Sequence, residues 1–244
     1  MLRCSLYCLL LLLVAVNGIG QFKNARYKNA RYRELYKKVP VMQRDTGTLY
    51  LRHNPLGLID FMDGNITFGA EYRFNEIWAA TMDAGAILYS AYFPRNRQAT
   101  GVLLRPGVRI YPGKYKDVFV DLQFHYKQVT YRVRDWLEKD VVNGVASYEE
   151  FKTFRYRKQV MGVNMMAGVK EKLFRSDRFF IELYLGVGVH FKNEYLYNEP
   201  NSRYDPPFTF GANRGTTNSS DNTSDGKSVL PALPGGIRLV WRLR

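Results

Sequence analysis

Cysteine is almost missing from this chain of 244 residues: the two present, Cys4 and Cys8, both stand among the first ten positions. A disulfide framework is thereby excluded for everything that follows, as is a cysteine-based zinc site. Histidine is equally scarce. His53, His125 and His190 lie far apart, in no pairwise spacing with cysteine or acidic ligands, so neither a metal site nor a cofactor is expected. Past the N-terminus no apolar run approaches the ~20 residues of a spanning helix, and mean hydropathy is −0.32, which excludes a helical membrane bundle. Acidic residues are few, Asp+Glu 22 against Lys+Arg 36, for a formal charge of +14. The basic residues are spread over the chain instead of gathered into a patch, so nucleic acid is not expected as a partner. What the chain has in quantity is aromatic surface: Tyr 18 and Phe 15 argue against a disordered polypeptide.

Met1-Leu2-Arg3 is a short basic start, followed by the apolar run from Cys8 to Val16 and the small residues Gly18 and Gly20. This is the pattern of a secretory signal peptide over 1–20, cleaved after Gly20; the apolar run is about half of a membrane span. Residues 21–47 form a basic polar segment with a tandem copy, Lys23-Asn24-Ala25-Arg26-Tyr27 followed by Lys28-Asn29-Ala30-Arg31-Tyr32. It lacks an apolar stripe and reads as a flexible linker, or as an electrostatic arm for a phosphate-bearing partner.

From residue 48 to 244 apolar and polar side chains alternate with a period of two, the mark of strands with two different faces. Ile66, Phe68, Ala70, Tyr72 and Phe74 oppose Thr67, Gly69, Glu71 and Arg73, and the same alternation runs through 78–89, 101–110, 117–127, 161–170, 179–192 and 236–243. An eighth strand over 49–58 is weaker, because Pro55 has no ladder donor and marks a bulge or rim. Connections near Asn75, Lys114 and Ser176 are short, whereas 95–100, 135–148 and 194–229 are long; only 60–64 breaks that rhythm. The fold expected is all-β: one antiparallel up-and-down transmembrane barrel of about eight strands, with tight turns at one end and long loops at the other.

Alternation alone does not say which face meets lipid, but two features point outward for the apolar one. Large rings fall at both ends of that face, with Phe74, Trp78, Phe179 and Trp241 near the short turns and Tyr126, Tyr156 and Phe191 near the long loops. They match the two aromatic girdles of a membrane barrel. The polar face carries Gly69, Gly85, Gly107, Gly162, Gly168, Gly186 and Gly188, which a crowded lumen needs for volume. On this reading Glu71, Asp83, Asp121 and Glu182 meet Arg73, Arg105, Arg109 and Arg242 in a lumen too narrow for a diffusion pore.

A leader, about eight alternating strands, short turns opposite long loops and the terminal run Gly236-Ile237-Arg238-Leu239-Val240-Trp241 together resemble the small outer-membrane β-barrels of Gram-negative bacteria, of the OmpA transmembrane-domain type. The resemblance covers about 49–244. It departs from that pattern in ending on Arg242-Leu243-Arg244 and not on an aromatic residue. It implies outer-membrane location, membrane lipid and lipopolysaccharide as neighbours, and contact with the barrel assembly machinery during insertion. It supplies no common activity. The role expected is structural, envelope-organising or surface-interacting through loop 194–229, without catalytic residues. Two alternatives stand beside it: a lipid-modifying barrel enzyme using His190 with Ser202 and Asp205, and a soluble secreted barrel carrying an apolar ligand.

Overall fold

Asparagine at a turn can replace a backbone acceptor with its own side chain, and Asn75 does so: its Oδ1 accepts hydrogen bonds from the N–H groups of Ile77 and Trp78, both at 2.8 Å. Such turns join long strands in a computed structural model that describes residues 46–60, 63–93, 95–112, 117–173, 177–204 and 226–243. The expected leader 1–20 lies outside the described residues, and so does the linker 21–47 apart from Thr46 and Gly47. The strands are β1 (Thr48–Asn54), β2 (Gly64–Arg73), β3 (Trp78–Tyr89), β4 (Asn96–Ile110), β5 (Val118–Lys139), β6 (Tyr148–Lys172), β7 (Phe179–Tyr197), β8 (Gly226–Ala232) and β9 (Gly235–Arg242), with a 3-10 helix (Pro55–Ile59) after β1. No α-helix occurs among the described residues, and no helix is long and apolar enough to cross a membrane.

These nine strands form one antiparallel sheet that closes in a ring, because β6 pairs with β5 and β7 while β1 pairs with β2 and β9. β8 and β9 occupy a single place in it. Gly188 pairs with Ala232 and Leu185 with Gly235, so one register against β7 runs through the break at Leu233-Pro234. The ring therefore has eight strand positions.

The strands run further than their apolar alternation. β5 has 22 residues and β6 has 25, and β4 begins at Asn96, so the expected loop 95–100 is strand and the expected loop 135–148 shrinks to 140–147. Likewise 194–197 and 226–229 are strand at the two ends of the expected loop 194–229, whose stretch 205–225 lies outside the described residues. The reason is visible along β5. Below Lys127 the outward residues are Val118, Val120, Leu122, Phe124 and Tyr126, and the inward ones are Asp121, Gln123 and His125. Above it Gln128, Thr130, Arg132 and Arg134 face out, whereas Val129, Tyr131, Val133 and Leu137 are buried inside. Parity is unbroken while polarity inverts. β6 repeats this, with Met161, Val163 and Met165 outward below and Arg155, Arg157 and Gln159 outward above. An apolar belt therefore girdles the lower ring, and a sheet with polar residues outside and mostly apolar ones inside continues above it.

The belt side chains stay outside: Leu183 and Leu185 are 48% and 68% exposed, as are Phe74, Trp78, Phe179, Phe191 and Trp241 in large part, while Glu71 and Arg109 are 0% exposed. Phe179 and Trp241 stack at 5.9 Å on neighbouring strands at the short-turn end, and Tyr126 is half-exposed on the outer face. Tyr156 departs from the expected outer girdle. It is buried inside the upper ring, edge-on to Phe93 at 5.1 Å, because β6 extends up to Tyr148 with unbroken parity and so gives Tyr156 the inward orientation of Asn164.

Above the ring, β5 and β6 continue as a hairpin against which the start of the β7–β8 connection is fastened. Glu138 and Arg203 exchange backbone hydrogen bonds at 3.0 Å, and Glu199 accepts from Lys139 and, at 2.9 Å, contacts Lys152. Partial burial pushes the Glu199 carboxyl up, but the hydrogen bonds and charges of Lys139 and Lys152 outweigh it and hold it below the ordinary glutamate value. Because the folded value is the lower one, this latch is fully present above the unfolded range near pH 4.5 and is lost as pH falls through the folded value. Hydrogen-exchange protection at 198–204, taken relative to the intrinsic rate at each pH, should fall more between pH 6 and pH 3 in the native protein than in Glu199→Gln; an equal fall in both would show that the latch carries no such linkage.

Candidate functional site in the lumen

The inward faces of the lower ring bring charges together from eight strands. Arg109 of β4 is the hub. Its Nη1 donates to Glu71 Oε2 at 2.8 Å and Glu182 Oε1 at 2.7 Å, and its Nη2 donates to Asp121 Oδ2 at 3.0 Å and Glu182 Oε2 at 3.2 Å, while the guanidinium lies 3.8 Å from the centre of the Phe119 ring. A planar fork can serve several carboxylates at once, which an ammonium cannot. Glu71 also accepts from Arg73 Nε at 3.1 Å and from the Tyr111 hydroxyl at 2.5 Å, and Arg73 stacks on Tyr111 at 3.7 Å. Asp83 accepts from Arg52 Nη2 at 2.5 Å.

Of the residues expected in this network, Glu71, Arg73, Asp83, Arg109, Asp121 and Glu182 are brought together. Arg242 is not part of the Arg109 cluster; it lies half-buried at the short-turn end of β9, opposite Tyr50. Arg105 has no carboxylate within ion-pair distance among the described residues. Its one hydrogen bond runs from Nε to His125 Nδ1 at 3.2 Å. Three cations complete the layer that the alternation did not single out: Arg52, Lys170, whose ammonium sits 3.6 Å over the Tyr50 ring, and Arg238, stacked at 3.9 Å on Tyr184. Arg238 lies 3.7–3.8 Å from Asp83, Asp121 and Glu182, close enough for charge attraction yet with its Nη1 lacking any hydrogen-bond acceptor. Five cations thus face four carboxylates.

Directly above this layer the lumen widens into a cavity of about 340 Å³, lined among others by Asn54, Asn65, Arg105, Gln123, His125, Asn164, His190 and Arg238. His125 and His190 stack at 4.5 Å across Gly162, which is paired with both. A Cβ on Gly162 would come within 2.5 Å of His190 Cδ2 and 2.3 Å of Val189 O, so only glycine lets the two imidazoles meet. His190 Nε2 is 3.0 Å from Asn164 Oδ1, which makes that nitrogen the N–H donor. Ser202 lies in the upper connection, donating to Pro200 O at 3.1 Å, and Asp205 lies outside the described residues. No group of three or more metal-ligating side chains occurs among the described residues.

Higher still, Asp63 meets Lys127 at 2.6 Å and Lys158 at 2.7 Å and accepts from the Tyr131 hydroxyl at 2.8 Å. Tyr92, Phe93, Tyr131, Phe154, Tyr156 and Tyr204 then close the upper ring with ring-to-ring contacts of 4.8–6.0 Å.

Set against known proteins, the chain stands apart. No family model, curated protein or solved structure matches it. Any reading of its role rests on its own residues.

Proposed function

We propose that the chain is an outer-membrane β-barrel of a Gram-negative envelope, with a structural or surface-interaction role and no pore. The observation that carries this is the inversion of polarity along unbroken strands at Lys127 and Gln128 of β5. A sheet surrounded by water throughout has no reason to turn Val118 to Tyr126 outward and then, without a change of parity, turn Val129, Tyr131 and Val133 inward. A sheet that passes from acyl chains into water does. The belt has a matching height. Residues 118–126 of β5 and 161–169 of β6 span about 30 Å along the strand, or ~23 Å at the tilt of about 40° usual in such rings, close to the ~25 Å apolar band of membrane barrels.

The upper edge of the belt supports lipopolysaccharide as the anionic neighbour. Arg132 and Arg155 stand directly opposite each other on β5 and β6, with Arg134 and Arg157 beside them, all facing out. Like charges placed opposite one another repel, and Arg132 and Arg155 have no carboxylate within ion-pair distance among the described residues; headgroup phosphates would resolve the conflict. Above that line the β5–β6 hairpin exposes Trp136 against Phe151 at 5.3 Å, and Val142 and Val145 at its tip, as a contact surface for a protein partner. Gly236 to Trp241, on the closing strand β9, is the stretch offered to the assembly machinery.

Fractionating cells that express the full chain tests this reading. The protein is expected with the outer membrane and is expected to migrate faster on gels unheated than boiled. Recovery in the soluble periplasmic fraction would refute it.

A further inference from the structure

The ring is incomplete on one side. β1 stops at Asn54, where Pro55 removes the next ladder donor, so its pairing with β9 ends at His53 opposite Leu239. Beyond that point β8 pairs only with β7 among the described strands, and Pro231 and Pro234 interrupt its donors. A notch is left between the 3-10 helix on one side and the break at Leu233-Pro234 on the other. The cavity is lined from both edges of this notch, by Leu56 and Gly57 and by Leu233 and Pro234, which makes the notch its candidate mouth. The height of the mouth matters. Leu233 falls between the partners of Leu185 and Gly188, inside the stretch of β7 where Phe179, Leu183, Leu185, Val189 and Phe191 face out, so the opening lies at belt level and not above it. Its outer rim is apolar: Leu56, Leu58, Ile59, Leu233 and Val229 are all exposed.

The inside of the same cavity is cationic. Arg105 lines it with no carboxylate within ion-pair distance among the described residues, and Arg238 lines it from below, its guanidinium 3.7–3.8 Å from Asp83, Asp121 and Glu182 with Nη1 making no hydrogen bond. Because Arg105 donates to His125 Nδ1, that ring is an acceptor and carries no charge to repel or attract. The one carboxylate in the lining is Asp60, near the mouth, which accepts from the Asp63 N–H. A guanidinium with no carboxylate in hydrogen-bonding reach is free to take an anionic head.

We propose that this cavity binds a single-chain anionic amphiphile, its carboxylate or phosphate head held by Arg105 and Arg238 and its alkyl chain leaving through the notch between Leu56 and Leu233. A volume of about 340 Å³ is at the small end of ligand sites and suits a compact head with the first methylenes, the remainder of the chain lying along the belt. The proposal rests on the membrane reading for the surroundings of the mouth, while the head site is a property of the lumen.

The test uses full-length protein in a non-ionic detergent, with native mass spectrometry of bound ligand. Dodecyl phosphate and dodecanoate are expected to bind one to one, dodecanol and inorganic phosphate at least about tenfold more weakly, which separates an amphiphile from a free anion. Arg105→Met is expected to weaken dodecyl phosphate at least about tenfold, and without ligand to withstand heat as well as or better than the parent, since an unpaired cation is gone. A purely structural arginine would give the opposite thermal result. If Arg105→Met does not fold, Leu233→Trp at the exposed mouth is expected to weaken the alkyl ligands while leaving inorganic phosphate unchanged. Equal binding of inorganic and dodecyl phosphate, or binding indifferent to both substitutions, overturns the proposal. Its failure in a protein that fractionates with the outer membrane would leave the barrel reading intact.

Discussion

Replacing Arg109 with methionine lowers the heat resistance of the purified protein by about 3–5 kcal/mol, which for a ring of this size corresponds to on the order of 10 °C in the temperature at which the folded gel band converts to the unfolded one. Glu71 keeps Arg73, Tyr111 and a nearby Lys170, but Glu182 loses both strong bonds and Asp121 loses its 3.0 Å partner in a layer without water contact. Removing Glu182 together with Arg109, as Arg109→Met with Glu182→Gln, costs less than the two single changes added, since each relieves the charge that the other strands. A shift of only a degree or two in Arg109→Met would mean that the four bonds to this guanidinium do not govern the stability of the ring.

The second large effect is expected on the outside. Leu122 lies in the middle of the belt on β5 and is 54% exposed, so in water Leu122→Arg would be close to neutral. Against acyl chains it costs roughly 2–4 kcal/mol at mid-depth and reduces the fraction of protein assembled in the outer membrane. Thr130→Arg, eight residues higher on the same outward face, serves as the reference and is expected to change assembly little. Equal behaviour of the two variants would remove the belt as a membrane-facing surface.

The period-two alternation made the lower ring legible. Both faces of β2, β3, β4 and β7, and six of the eight charges expected in the lumen network, follow from parity alone, because a side chain two positions along a strand faces the same way. Parity carries no depth, which is why Arg242 at the rim was indistinguishable from Arg238 four residues earlier on the same face. Arg52 stayed hidden because β1 is short and ends in a proline. The upper half was hard to read for a different reason: above Lys127 polar residues outside and aromatic ones inside reverse the pattern, so β5 and β6 looked finished at Lys127 and Met161. Tyr156 fell on that boundary. The stacked pair of His125 and His190 has no signature in the chain, since it depends on Gly162 sitting between two strands that each register independently.

The union of β1 with β9 joins residues nearly two hundred positions apart through only Tyr50 with Arg242, Leu51 with Trp241, Arg52 with Val240 and His53 with Leu239. The other neighbours in the circle are joined through far shorter stretches of chain, the longest running from Tyr197 to Gly226, so this seam has the largest loop entropy to overcome and the fewest rungs to repay it. The cylinder is therefore finished last, and it is here that it would first come undone.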